Sequence, residues 1–155
     1  MGAYVNRVLQ PEESVKHLSK ISRVVFIPGV VLLIFAVAGL VFSQTAAAVQ
    51  NGPILMGVSA FVGLVGLLSF LRAWFKRWTT EIAVTNRRII YKRGFIRRRT
   101  VEMNMDKVES VDVDQSIAGR LFGYGTVVVR GTGGGIEPLY KIDNPLEFRN
   151  AVIVR

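Results

Sequence analysis

Cysteine is absent from the 155-residue sequence, and histidine occurs once, as His17. The first absence excludes a disulfide framework and any thiolate metal or redox site. The second removes histidine triads and clustered histidine ligation of a metal. No nucleophile stands beside a plausible base, so no catalytic residue, metal or cofactor is expected, and the chain does not read as an enzyme. Charge is missing from two long stretches, because residues 24–42 and 54–71 contain no Asp, Glu, Lys, Arg or His. Each is long enough, at ~1.5 Å per helical residue, to cover about 27–28 Å of a hydrocarbon layer roughly 30 Å thick. Acidic residues are scarce as well: 11 Asp and Glu face 20 Lys and Arg, for a net charge of +9. Such a surplus favours polyanions. With a membrane anchor attached, anionic lipid is the nearer partner. Nucleic acid is not expected, because the sequence has no zinc finger, basic zipper or RNP-like aromatic strand.

The chain then divides into an N-terminal arm (1–23), a transmembrane hairpin (24–71, with spans 24–42 and 54–71) and a C-terminal block (72–155). The first span starts too late, runs too long and is followed by a second span, so it does not read as a signal peptide. The link 43–53 is uncharged, whereas Lys16, Lys20 and Arg23 precede the first span and Arg72, Lys76 and Arg77 follow the second. By the positive-inside rule both termini are cytoplasmic. Arg23, Arg72, Lys76 and Arg77, together with Trp74 and Trp78 spaced four apart, are the expected interfacial anchors. Gly29, Ala36 and Gly39 on the first helix and Ser59, Gly63 and Gly66 on the second are small enough for close packing, within one hairpin or between copies. Pro28 falls in the first turns of its span, where a missing N–H costs little.

Beyond Trp78 the pattern changes to short alternating runs. Strands are expected at 81–85, 87–92, 96–102, 108–114, 126–130 and 136–142, with turns at Arg93-Gly94 and at 131–135. Asn144-Pro145 opens a terminal helix, with Asn as N-cap and Pro at the first position. The fold class is therefore α+β: a two-helix membrane hairpin plus a small antiparallel sheet or half-barrel closed by a helix. Leu121-Phe122 is expected in a buried corner.

Three segments carry a resemblance. They are Thr85-Asn-Arg-Arg-Ile89 entering Tyr91-Lys-Arg-Gly94, then 116–126 ahead of a hydrophobic strand, then a Gly-rich turn followed by 142–148. In this order the chain resembles the membrane-bound bacterial proteins that carry a pleckstrin-homology-like (PH-like) domain. The likeness is close over residues 79–152 and extends to the layout of the two spans. It implies a bent, strongly twisted antiparallel sheet capped by a C-terminal helix, and a bacterial inner-membrane location. It implies little about activity, and phosphoinositide recognition does not transfer. Relatives often have a strand-like segment before the first span. Here residues 13–20 fit either such a strand or a short amphipathic helix.

The densest charge cluster is Arg87, Arg88, Lys92, Arg93, Arg97, Arg98 and Arg99, around one expected hairpin. It reads as a contact for anionic headgroups, for which Arg offers bidentate phosphate geometry, or as a solvated face that obeys the positive-inside rule. The glycines at 131–135 lack phosphate-loop spacing and read as a turn. Glu109, Asp112 and Asp114 read as a solvated strand face. The expected function is a membrane-anchored binding or scaffold protein that contacts anionic lipid and a protein partner or itself. The alternative is an oligomeric accessory subunit of a transport or channel complex, against which the spans' lack of ionisable residues weighs.

Overall fold

Two compact units emerge in a computed structural model: residues 25–75 form one, and the residues before and after them together form the other. The structure describes residues 4–45, 51–95 and 98–153, except for the side chain of Asn6. The fold is α+β, with two long apolar helices followed by antiparallel sheets and a C-terminal helix; among the described residues there is no closed barrel.

A 3₁₀ turn (Arg23–Phe26) enters the helical unit and leads into α2 (Ile27–Ser43), with Pro28 in its first turn, where an N–H would lack an intrahelical acceptor anyway. The second helix, α3, runs over Gly52–Thr79, and its last turn, from Lys76 on, belongs to the other unit. Taken with its 3₁₀ turn as Arg23–Ser43, the first helix is, like Gly52–Thr79, long and apolar enough to cross a membrane, and only 11% of the most apolar window of each is buried. Ile34, Phe35, Val41, Ile54 and Phe61 are each more than half exposed. So large an exposed apolar surface is rare on a soluble monomer. The helices approach each other where side chains are small. A Cβ on Gly29 would lie 2.8 Å from the Phe70 backbone nitrogen, and one on Gly66 would lie 3.0 Å from Leu32 Cβ. Gly63 faces Ala36, Gly39 faces the Ser59 hydroxyl, and Phe26 packs on Phe70 at 5.0 Å between centroids.

The β unit begins upstream of these helices. A single turn, α1 (Val5–Val8), precedes β1 (Val15–Ser19). After the helices come β2 (Glu81–Thr85), β3 (Arg88–Arg93) and β4 (Arg99–Asn104), and the four strands form one antiparallel sheet in the order β1-β2-β3-β4. Thus the open choice at residues 13–20 resolves as a strand, Ser19 lying opposite Ile82. The second sheet is built on β6 (Tyr124–Gly131). It pairs with β5 (Val108–Asp114) on one side and with the two-residue β7 (Gly134–Gly135) and β8 (Leu139–Asp143) on the other. The last strand starts later than the expected 136, because Pro138 has no N–H to donate to the ladder, although the Ile136 N–H already reaches the Val129 carbonyl of β6. A bridge between Ile21 and Ile142 ties the chain just after β1 to this second sheet.

Period-two alternation puts Ile82, Val84, Ile89 and Tyr91 on one face of the first sheet. There they meet Val127, Val129, Leu139 and Ile142, and α5 (Pro145–Ile153) closes the core with fully buried Phe148. Ala83 and Ile90 point the opposite way and are buried under Val5 of the arm. Central strand β2 is therefore covered on both faces. At the start of α5, Asn144 donates its side-chain amide to the Glu147 carboxylate at 3.3 Å.

One expectation is corrected. Leu121 and Phe122 are not a buried corner, being 78% and 60% exposed. They belong to the one-turn helix α4 (Ile117–Leu121) and its C-cap, and Gly119 is the residue this helix turns inward. A Cβ there would meet the Tyr124 carbonyl at 2.6 Å, and Ile117 and Leu121 lie on the opposite side of the turn.

Gly29→Leu should lower the stability of the detergent-solubilised protein by about 2 kcal/mol, since overpacking a close helix contact costs about that much. Gly57→Ala, whose Cβ would meet nothing within 4 Å, should not lower it. Thermal unfolding followed by circular dichroism reads both variants.

Candidate functional site

Strand alternation sorts the basic cluster before any tertiary contact does. Along β3, residues 89, 91 and 93 share one face and residues 88, 90 and 92 share the other. The second face is the one the N-terminal arm covers. Arg88 and Lys92 are therefore drawn into contacts with it.

The Arg88 side chain is only 13% exposed, and its guanidinium meets Glu13 Oε2 and Glu102 Oε2, each at 2.8 Å. It also donates to the Val8 carbonyl at 2.8 Å. The Glu13 side chain is fully buried. It accepts further hydrogen bonds from the Thr85 hydroxyl at 2.7 Å and the Gln10 N–H at 2.9 Å. Burial alone would raise the Glu13 pKa. The hydrogen bonds from Arg88, Gln10 and Thr85, with the charge of Arg88, outweigh that effect and lower it from 4.5 to about 2. Lys92 lies 3.5 Å from Glu81 and 4.9 Å above the Tyr4 ring. The Tyr4 N–H in turn donates to Glu81. These two cations hold the arm on the sheet.

The other members of the cluster are oriented differently. Arg87 is exposed and pairs with Glu12 at 3.5 Å. Arg93 and Arg99 sit directly opposite each other across the hairpin, and this like-charge pair is bridged by one carboxylate, Glu137, at 3.1 and 2.5 Å. Arg98 is exposed and makes no ion pair among the described residues. Arg97 lies outside the described residues. The cations directed outward are thus Arg87, Arg93, Arg98 and Arg99.

The hairpin tip meets the end of α3. Phe95 stacks on Trp78, with 5.6 Å between ring centroids, and both rings are largely exposed. Near them Lys76 is exposed, whereas Arg77 is half-buried, donating to the Ile21 carbonyl and lying 3.9 Å from Asp143. Arg23 is exposed, and in the helical unit so are Arg72 and Trp74.

A second surface lies along β5. This strand pairs only with β6 among the described residues, so its other edge is open. Beside it runs a groove of about 480 Å³, lined by Val111, Val113, Gln115, Arg120, Leu146 and Arg149. Exposed Leu146 borders it, and α4 adds exposed Ile117 and Leu121 nearby in sequence. Sequence reasoning missed this surface; an i, i+4 apolar pair next to Arg120 was the available signal.

Among protein-family models, one described as Bacterial PH domain matches residues 22–153, covering both long helices and every strand except β1. Comparison with curated proteins and with solved structures found no match.

Replacing Glu13 with Gln should destabilise the protein by about 2 kcal/mol, from weakening the charge-assisted hydrogen bonds to Arg88, which keeps Glu102 as its ion-pair partner. The same change should alter the acid response. A carboxylate held below its unfolded value stabilises the fold fully above about pH 4.5 and loses that contribution as pH falls toward about 2. Thermal midpoints measured from pH 6 down to pH 2 should therefore fall less steeply in Glu13→Gln than in the parent.

Proposed function

The chain belongs to the bacterial PH domain family, and from that footing we propose that it is a membrane-anchored binding and scaffold module of the bacterial inner membrane. Domains of this kind are typically non-catalytic binding modules. In our reading residues 24–71 are the membrane hairpin, and the β unit, joined by the arm 1–23, faces the cytoplasm.

One observation carries the reading. β1 and β2 are hydrogen-bonded neighbours in one sheet, although both apolar helices lie between them in sequence. The chain leaves the sheet at Ser19 and re-enters it at Glu81, with Ile82 opposite Ser19. Both outer ends of a helical pair inserted there must lie on the same side of a bilayer. The absence of charge from residues 43–53, against Lys and Arg at the outer ends, supports the cytoplasmic side. The connections are short: three residues separate β1 from the 3₁₀ turn, and one separates α3 from β2. The tethered β unit thus stays within reach of the headgroups.

Outward-facing Arg87, Arg93, Arg98 and Arg99 supply the lipid contact, with Arg97 as a further candidate. Each basic group near a charged leaflet contributes about 1 kcal/mol. Lys92 and Arg88 serve this surface indirectly, by holding the arm on its sheet. The protein partner binds along the open edge of β5 and its adjoining groove, where strand addition supplies backbone hydrogen bonds.

Two measurements test this. The chain has no cysteine, so single cysteines introduced at Gln44 and Thr132 report topology without interference. They should react with a membrane-impermeant thiol reagent from opposite sides; labelling from one side rejects the hairpin. In nanodiscs, amide hydrogen exchange over residues 93–99 should be slower with phosphatidylglycerol than with phosphatidylcholine. In Arg98→Gln/Arg99→Gln the protection should fall by roughly thirtyfold, the equivalent of about 2 kcal/mol. Equal exchange in both lipids would reject the headgroup contact.

A further inference from the structure

Between the last turn of α3 and the hairpin lies a cleft of about 260 Å³ with a polar wall formed by Lys76, Thr79, Thr80, Arg93 and Tyr140. Its floor includes Ile82 and Ile142, both fully buried. No carboxylate lines it among the described residues. The acid nearest in function is Glu137, and it is shared between Arg93 and Arg99, so that one negative charge serves two positive ones. Lys76 adds a cation that has no ion pair among the described residues. The cleft therefore carries uncompensated positive charge over an apolar floor, where a low local dielectric strengthens attraction for an anion.

We propose that this cleft is a phosphate site that holds the headgroup of a single anionic phospholipid, with the phosphodiester between Lys76 and Arg93. Arginine offers a planar fork to two phosphate oxygens and lysine a point charge, while the Thr80 and Tyr140 hydroxyls donate to remaining oxygens. The volume lies below the ~300–1,000 Å³ of pockets that enclose whole drug-sized ligands, which suits a headgroup and leaves the acyl chains outside. A lipid is favoured over free phosphate by what adjoins the cleft. Thr79 follows Trp78 and Gly94 precedes Phe95, and this exposed stacked pair is of the aromatic type that sits at headgroup level. The inference rests on the preceding reading only in placing the β unit beside a bilayer.

The test uses the full chain in detergent, titrated calorimetrically with monomeric short-chain phosphatidylglycerol, short-chain phosphatidylcholine and inorganic phosphate. Phosphatidylglycerol should bind saturably at one per chain. Lys76→Gln/Arg93→Gln should weaken it at least tenfold, while Lys76→Arg should retain it within about threefold. Arg7→Gln/Lys107→Gln removes equal charge elsewhere and should change it less than twofold. The absence of saturable binding, or equal weakening by both double variants, would overturn the cleft. Displacement by equimolar inorganic phosphate, or equally tight phosphatidylcholine binding, would overturn the anionic-lipid assignment. If the cleft fails while hydrogen exchange in nanodiscs still responds to phosphatidylglycerol, this inference falls and the proposed function stands.

Discussion

A single backbone pairing organises this protein: β1 lies hydrogen-bonded against β2, though the intervening chain contains both apolar helices. Closing so long a loop costs conformational entropy, but that cost grows only slowly with length. It is offset by ladder hydrogen bonds, by the Ile21–Ile142 bridge and by the buried faces of β2. The pairing has a topological consequence that no property of the helices alone supplies. Strands that are neighbours in one sheet hold both outer ends of the intervening helical pair together. In the proposed reading, this makes the membrane element a hairpin whatever the charges at its ends.

Electrostatics in the β unit follow from the same closure. Bringing the arm across β2 and β3 buries Glu13, and a buried carboxylate is tolerated only when fully hydrogen-bonded. Arg88, Thr85 and the Gln10 N–H meet that requirement. Arg88 is committed inward as a result, and Lys92 lies beside Glu81 under Tyr4. What looks in one dimension like a uniform basic patch is divided in three. Part of it binds the arm, Arg87 faces outward at one end of β3 beside Glu12, and Arg93, Arg98 and Arg99 face outward at the other end, which carries the Trp78–Phe95 stack.

Much of the fold was legible from residue order. Val108–Asp114 alternates without interruption, and the predicted strand has those limits. Glu81–Thr85 is equally plain, and Pro145 marks the start of the last helix. Residues 4–9 were not legible as a covering layer, because a single turn carries too few residues to show a period. Leu121 and Phe122 misled for a related reason. Apolar character argues for burial, but Gly119, which has no side chain to advertise the fact, took the inward position. The groove beside β5 was equally hidden, since Arg120 and Arg149 come to it from separate helices.

Sequence by itself determined the two apolar helices, the alternating strands and the helix that closes them. Each of these depends on spacing within a few residues, where hydrophobic period and turn chemistry act locally. Only the tertiary structure decided which cations remain available to a ligand. Each acid that engages the cluster, Glu12, Glu13, Glu81, Glu102 or Glu137, sits on a different segment from the cation it meets. Coulombic partners are chosen by distance in space, and no local pattern in the chain encodes that distance.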